Sequence, residues 1–238
     1  MAFKRMYVVN RNPSLSYSEF APRWRQHAEL SMQFPELPEQ HSRLAYCCTL
    51  EQDSGIPGAS REWDGVGMLW VRNPEMLKAQ PRDPRMRPTM RADELLVFTG
   101  NVLDSLVTVK EDIKKDGRGA RICLISFLHR KPDLDVEEFR AAWQRQANTF
   151  LENAGSSALL HRYVLGSALG KPTFQCDAVS EMWFHTAADA VAFCNTPQYR
   201  EQVIDAQQEF SLAKPLTLLV EVGHAWSAPD DPYPQPHP

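Results

Sequence analysis

The chain has 238 residues, of which 43% are hydrophobic, 10% aromatic and 24% charged, a composition that suits one large globular domain or two small ones. Its net charge of -4 argues against a nucleic-acid or anionic-membrane partner, and no apolar run reaches the roughly 18 residues that a membrane span needs. Five cysteines without a C-x-x-C pair suit a reducing compartment, so we expect a cytoplasmic protein with buried thiols.

The sequence repeats itself. The segment Arg11–Phe20 recurs as Arg130–Phe139, 119 residues later. Further on, Asp64–Val71 recurs as Asp177–Phe184 with an offset of 113 residues, so the first copy carries six extra loop residues. Matched residue types in the same order indicate one ancestral unit that was duplicated and fused.

The first copy alternates strand-like and helix-like segments. Its helix signal begins with the capping pattern Ser16-x-x-Glu19, and Phe20, Trp24 and His27 then fall on one helix face. The predicted elements, in chain order, are strand Phe3–Val9, a helix from Ser16, strands Arg43–Leu50 and Val66–Val71, a helix starting near Asn73, helix Arg87–Val97 and strand Ser105–Val109.

The second copy follows the same order. Its capping pattern is Asp135-x-x-Glu138, and Phe139, Trp143 and Ala147 form the corresponding helix face. The predicted elements are strand Ala120–Leu128, a helix from Asp135, strands Arg162–Leu165 and Val179–His185, a helix capped by Thr186, helix Pro197–Phe210 and strand Thr217–Val222.

Each copy therefore has the β-α-β-β-α-β order of a ferredoxin-like unit, and the fold class is α+β. A single four-stranded sheet has open edges, whereas two sheets can pair into one closed barrel. We expect tandem ferredoxin-like repeats that form an intramolecular pseudo-dimeric α/β barrel. The expected boundaries are 1–112 and 120–226 for the repeats, 113–119 for the linker and 227–238 for a disordered tail with five prolines.

Two motifs resemble the EthD family of the dimeric α/β-barrel superfamily. One is R-x-P-x-L-(S/D)-x-x-E-F-x-x-x-W-x-x-(H/Q)-A, and the other is D-G-V-x-x-L-W-V with its copy D-A-V-S-E-M-W-F. The resemblance implies a fused pseudo-dimer, where typical members pair two identical chains, and a ligand cavity in each half between sheet and helices. It also implies mixed activities on phenolic or polyketide-like compounds, with some relatives that bind haem and some without known activity.

His27 is the leading candidate for catalysis. An imidazole can give and take protons at neutral pH, and family members often have a histidine at this motif position. The second copy has Gln146 there, which can hydrogen-bond but cannot carry a proton through a catalytic cycle. The residues thus predict one chemically competent half, with the alternative that His27 only hydrogen-bonds within the fold.

A further set of aromatic, basic and acidic side chains could bind the substrate. Arg43 recurs as Arg162, so a structural pairing with Asp64 or Asp177 is the alternative to anion binding. Family members often have glutamate at the position of Glu181, where the first copy has Met68. The candidate substrate-binding residues are Tyr7, Trp24, His41, Arg43, Tyr46, Trp63, Trp70 and Glu181.

No metal, nucleotide or nicotinamide motif occurs, so we expect neither a cofactor nor a metal, although a lone haem ligand would leave no spacing signature. We predict a lyase, dehydratase, isomerase or cyclase that acts on a small aromatic, lactone or polyketide-like compound, with His27 as general acid/base. The alternatives are a non-catalytic ligand-binding or accessory protein and a haem- or oxygen-dependent monooxygenase. Further association into a homodimer is left open.

Overall fold

The computed structural model describes residues 2–51, 55–78, 82–152, 158–212 and 214–231. Eight strands form one closed barrel, in the spatial order β1-β3-β2-β8-β5-β7-β6-β4. The strands are β1 (Ala2–Val9), β2 (His41–Thr49), β3 (Gly65–Val71), β4 (Leu106–Lys115), β5 (Ile122–Leu128), β6 (Arg162–Ala168), β7 (Ala178–Phe184) and β8 (Leu216–Ser227).

Helices cover the outside of the barrel. They are α1 (Tyr17–Ser31), α2 (Glu36–Gln40), α3 (Met86–Val97), α4 (Val136–Glu152), α5 (Ala187–Cys194) and α6 (Pro197–Tyr199). A π-helix, Arg200–Asp205, continues α6, and the helix expected near Asn73 is a short 3-10 turn at Pro74–Lys78. Both predicted capping patterns are present, since Ser16 pairs reciprocally with Glu19 and Asp135 with Glu138.

The two repeats close the barrel on each other. Each half contributes four antiparallel strands in equivalent order, and the pairs β2·β8 and β4·β6 join one half to the other. No strand of the barrel is left with an open edge, which removes the tendency of an edge strand to pair with another chain. The predicted α+β pseudo-dimeric barrel is confirmed.

Two predicted boundaries need correction. Strand β4 runs to Lys115, so the connection between the halves is 116–121 rather than 113–119. The tail is not disordered from residue 227, because β8 includes Ser227, Ala228 donates its N–H to the Ser42 carbonyl at 2.8 Å, and Asp231 is buried. Residues 232–238 lie outside the described part of the chain.

The extra loop of the first half crosses to the second half. Ser60 donates its N–H to the Thr217 carbonyl at 2.6 Å, and Ile56 is buried in the hydrophobic core of the second half. The sequence predicts this loop at Asp53–Ser60, and its residues 53 and 54 lie outside the described part of the chain. The insertion thus attaches one repeat to the outer layer of the other.

The repeated Arg and Asp residues of the motifs pair with each other in both halves. Arg11 donates its backbone N–H to Asp64 at 3.0 Å, and Arg130 does the same to Asp177 at 2.8 Å. Both guanidinium groups also donate to a backbone carbonyl four residues later. The alternative prediction, in which Arg43 pairs with Asp64, is therefore wrong, because Asp64 contacts Arg11.

Apolar side chains fill three layers: the barrel interior and one space under the helices of each half. All five cysteines are buried and free of disulfides. In the part of the chain that the structure describes, none of the helices has the length and apolar character of a membrane span.

Candidate functional site

His27 lies on the inner face of α1 and is bonded to a carboxylate from another helix. Its side chain is buried, and Nδ1 lies 2.7 Å from Oδ2 of Asp93, which is 66 residues away on α3. The guanidinium of Arg23, one helical turn before His27, donates to both oxygens of Asp93. The three side chains form a histidine–carboxylate–guanidinium cluster.

The charge of Asp93 sets the tautomer of His27. Burial opposes ionisation of this carboxyl, but the hydrogen bonds from Arg23 and His27 outweigh burial and hold its pKa below the usual range. An ionised carboxylate only accepts hydrogen bonds, so His27 donates through Nδ1, and in the neutral form of the ring the lone pair lies on Nε2. In the described part of the chain, Nε2 has no hydrogen-bond partner.

Aromatic rings pack beside this cluster. The ring of His27 stands edge-on to the ring of Phe98, with 5.6 Å between their centroids. The ring of Trp24 also stands edge-on to Phe98, at 5.2 Å between centroids. Tyr7 and Tyr46 flank Trp24 at 6.3 and 6.1 Å. Burial raises the pKa of Tyr7, so its hydroxyl stays protonated at neutral pH. The structure thus brings Tyr7, Trp24 and Tyr46 into the layer that holds His27.

Strand register shows how the two halves differ on this face. Neighbouring residues across the first half form the row Tyr46, Gly67, Tyr7 and Leu106, and the second half has Leu165, Ser180, Ser126 and Thr217. The Tyr7 ring lies flat over Gly67, where an added Cβ would come within 2.1 Å of the ring. In the first half, the rings of Tyr7 and Tyr46 therefore fill the space between the sheet and the helices. In the second half, the small side chains of Ser126, Ser180 and Thr217 border the equivalent space.

The second half has a small cavity between its sheet and α4. The cavity offers about 20 Å³ to the centre of a water molecule, which is room for about one water. Gln146, at the position of His27, lines the cavity and donates to the Gln202 carbonyl at 2.6 Å. The described lining includes Ser126, Tyr163, Ser180, Thr217, Trp143 and Met182, without a lysine, arginine, aspartate, glutamate or histidine.

Haem, which the family resemblance raised, does not fit this cavity. The volume is far too small for a porphyrin, and the described lining offers neither the histidine nor the cysteine that usually binds haem iron. His27 in the other half is bonded through Nδ1 to Asp93 among packed aromatic rings. The described residues of neither site therefore fit a haem.

Three predicted binding residues lie on the opposite face of the sheet, inside the barrel. Both oxygens of Glu181 accept from Lys4, at 2.6 and 2.8 Å, and Glu111 lies 2.7 Å from the same ammonium group. The Arg43 guanidinium stacks on Trp70 at 3.7 Å and lies 3.5 Å from Asp231. Burial lowers the pKa of Lys4, but Glu111 and Glu181 outweigh it and hold the group charged.

The two remaining candidates are also separate from His27. His41 is buried at the start of β2, its Nδ1 faces the Leu37 carbonyl at 3.1 Å, and burial lowers its pKa to about 4. Trp63 packs edge-on against Phe174 from the second half at 6.3 Å. His41 opens β2, whose successive side chains point to opposite faces of the sheet, and Trp63 lies in the loop before β3.

Asp93 and Arg23 are the site residues that sequence reasoning missed. Asp93 stands five residues before Phe98, just as Asp205 stands five residues before the matched Phe210, so the repeat carried a signal for the aspartate. Arg23 lies one helical turn before His27, on the neighbouring part of the same helix face. Only the packing of α1 against α3 shows that the three side chains meet.

Two ferredoxin-like units that close one eight-stranded barrel define a dimeric α/β-barrel protein, here within a single chain. The sequence profile of the EthD domain matches residues 12–100 and 131–211, one match in each half. The chain belongs to the EthD family. No curated protein sequence matches it significantly.

Solved structures show the same fold. An anthrone oxidase-like protein is 9% identical, with 94% of this chain and 92% of that chain covered and a TM-score of 0.58. A protein provisionally named a monooxygenase, from Lactobacillus acidophilus NCFM, is 12% identical, with 95% and 97% covered and a TM-score of 0.54. Chlorite dismutase from Candidatus Nitrospira defluvii is 11% identical, with 93% and 91% covered and a TM-score of 0.53. At these identities the likeness extends to the fold alone.

Proposed function

We propose that the chain is an acid–base enzyme that acts without a cofactor on a small aromatic, lactone or polyketide-like compound, with His27 as the proton-transfer residue. The observation that carries this proposal is the geometry of one ring: Asp93 holds Nδ1 at 2.7 Å, and Nε2 has no hydrogen-bond partner among the described residues. A carboxylate on one nitrogen orients the ring and leaves the other nitrogen to react.

The chemistry that follows is a proton transfer in two directions. Nε2 takes a proton from a phenol or from a carbon beside a carbonyl, which leaves a phenolate or enolate and an imidazolium. Asp93 stabilises the imidazolium, and Arg23 keeps the aspartate ionised. Return of the proton to a different carbon gives an isomer, and its delivery to a leaving hydroxyl releases water and gives a dehydrated product.

An oxygen-using variant of this chemistry is the second candidate. Two structural neighbours are named as a monooxygenase and an anthrone oxidase-like protein. A phenolate or enolate is the electron-rich form of such a substrate, and dioxygen would be the co-reactant that accepts its electrons. Deprotonation by His27 is the first step in both candidates, so one set of variants tests it.

A non-catalytic binding role is the third candidate. The second half supports it, because Gln146 replaces the histidine and donates to a backbone carbonyl. A protein that binds its ligand without turnover would show thermal stabilisation by aryl ketones or lactones but no chemical change in them.

Deuterium exchange tests the proposal without knowledge of the product. The full chain is incubated in D₂O with a panel of phenolic aryl ketones and lactones, and nuclear magnetic resonance follows replacement of the acidic C–H, with oxygen consumption recorded in parallel. We expect exchange by the wild type and a loss of about 100-fold or more in His27→Gln, which installs the residue of the other half.

The control is His185→Gln, at an exposed histidine outside the site. It should exchange at the wild-type rate, and circular dichroism should show that both variants are folded. Exchange by His27→Gln at the wild-type rate, or no exchange with any compound of the panel, would contradict the proposal. Oxygen uptake that depends on His27 would select the second candidate.

A further inference from the structure

We infer that one end of the barrel interior holds a binding site for a small organic carboxylate, and that residues 228–231 cover this site by placing their own carboxylate in it. These four residues are called the covering segment below. The site is built around Arg43 and Trp70, on the face of the sheet opposite to the layer that holds His27. It is therefore separate from the space between sheet and helices, and it does not depend on the function proposed above.

A stacked guanidinium group forms the floor of this site. The guanidinium of Arg43 lies over the Trp70 ring, 3.7 Å from its centroid, and the Arg43 side chain is 6% exposed. Stacking fixes the plane of the guanidinium, and its N–H groups point outward in that plane, where they match the two oxygens of a carboxylate. Burial lowers the pKa of Arg43, and the charge of Asp231 opposes this. A cation buried to this extent needs an anion beside it.

That anion comes from the covering segment. The two other carboxylates in the barrel interior lie against Lys4, Glu111 at 2.7 Å and Glu181 at 2.6 Å. Asp231 places its carboxylate 3.5 Å from Arg43, and its side chain is 2% exposed. The structure thus has a buried carboxylate position beside Arg43, and an aspartate from beyond β8 fills it.

The covering segment is a short turn attached at the protein surface. Asp231 donates its N–H to the Ala228 carbonyl at 3.0 Å, and this turn sends Asp231 inward and Asp230 outward. Asp230 pairs with Arg72 at 2.6 Å, but its side chain is 65% exposed, and exposed ion pairs add little stability. Ala228 donates its N–H to the Ser42 carbonyl at 2.8 Å. Short segments held in this way open locally while the rest of the protein stays folded.

The second half covers the matched arginine differently. Arg43 and Arg162 each stand opposite a tryptophan of the neighbouring strand, Trp70 and Trp183. Arg162 pairs with Asp116, which is 51% exposed and lies in the connection between β4 and β5, where a strand holds the chain on either side. The first half instead combines a buried carboxylate position with a segment that can leave it.

Chemical rescue tests whether this position accepts a ligand. In the full chain, Asp231→Ala removes the carboxylate and leaves its place beside Arg43 open to an external one. Addition of about 0.1 M sodium acetate should raise the thermal unfolding midpoint of this variant by about 3 °C more than that of the wild type. Acetamide in sodium chloride of the same ionic strength should not, because it carries no charge to pair with Arg43.

Two variants serve as controls for the rescue. Asp116→Ala removes the matched but half-exposed carboxylate, which water replaces, so acetate should act on it as on the wild type. Adding Arg43→Met to Asp231→Ala removes the cation and should abolish the acetate response. An absent response in Asp231→Ala, or an equal response in Asp116→Ala, would overturn the inference.

A second experiment uses the wild type, so it does not depend on the folding of Asp231→Ala. Nuclear magnetic resonance of the chain labelled with ¹⁵N-alanine follows hydrogen exchange of the Ala228 amide, which is assigned with the variant Ala228→Gly. Benzoate should speed this exchange as it displaces the covering segment, whereas benzamide should leave it unchanged. Benzoate that leaves the exchange of Ala228 unchanged would overturn the inference.

Asp230→Ala weakens the attachment of the covering segment without touching the site. In the wild type the carboxylate of Asp231 competes with benzoate at an effective concentration of roughly millimolar or more. Loss of the ion pair with Arg72 should reduce that competition and raise the apparent affinity for benzoate, measured by isothermal titration, by about threefold or more. Equal affinities in the wild type and Asp230→Ala would count against a displaceable cover and would overturn the inference.

Discussion

The two halves share one backbone plan, yet they fill the same row of positions in opposite ways. In the first half Tyr7 lies over Gly67 and packs with Trp24, in the layer that also holds the His27–Asp93 pair. In the second half Ser126 and Ser180 leave a cavity, and Gln146 cannot transfer a proton. A few side-chain volumes on one sheet face thus decide that the first half packs its aromatic layer and that the second half keeps a small cavity.

The largest effect is expected at the buried ion cluster of Lys4, Glu111 and Glu181, in which the first half contacts the second. Lys4→Met leaves Glu111 and Glu181 buried without their cation and should cost about 3–5 kcal/mol in the free energy of unfolding, measured by urea denaturation. The triple variant Lys4→Met, Glu111→Val, Glu181→Met removes all three charges and should recover most of that loss. A single variant as stable as the wild type would show that the ion cluster is not fully desolvated.

The matched tryptophans test whether the two outer layers are equally important for stability. Trp24 and Trp143 are 1% and 2% exposed. Trp24→Ala and Trp143→Ala should each lower the free energy of unfolding by about 3–5 kcal/mol, measured by chemical denaturation. A loss below about 1 kcal/mol in either variant would mean that the layer of that half is not a packed core.

The matched aspartates sharpen the chemical difference between the halves. Asp93→Asn removes the carboxylate that orients His27 and should slow deuterium exchange by about one to two orders of magnitude, whereas Asp205→Asn should exchange at the wild-type rate. Nuclear magnetic resonance in D₂O measures both rates. Equal rates in the two variants would remove Asp93 from its positioning role.

The last expected effect is a pH dependence that comes from a buried histidine of the first half. The pKa of His41 falls from 6.5 to about 4 because burial disfavours the charged ring, so the unfolded chain takes up a proton before the folded one does. The resulting stability is present above pH 6.5 and is lost as the pH falls toward 4, by up to about 3 kcal/mol.

Urea denaturation at pH 7.5 and pH 5 checks this expectation. The wild type should lose more stability between the two pH values than His41→Asn, whereas the exposed variant His185→Asn should behave like the wild type. Equal pH dependence in the wild type and His41→Asn would contradict it.

Much of the fold could be predicted because its signals are local. The capping boxes at Ser16 and Asp135, the helix faces of Trp24 and Trp143, and the alternation of the strands follow from spacings of two to four residues. The site could be predicted only in part. His27 followed from the helix face, whereas Asp93 is brought to it by the packing of two helices.

The sequence by itself determined the repeat, the two ferredoxin-like units and the positions where the copies differ. The tertiary structure alone decided what those differences mean. It placed Glu181 against Lys4, 177 residues away inside the barrel, and it placed the loop of one half over the other. The physical reason is that periodicity and capping are properties of neighbouring residues, whereas a shared cavity or ion pair depends on strand register and on the volume of every side chain between the elements.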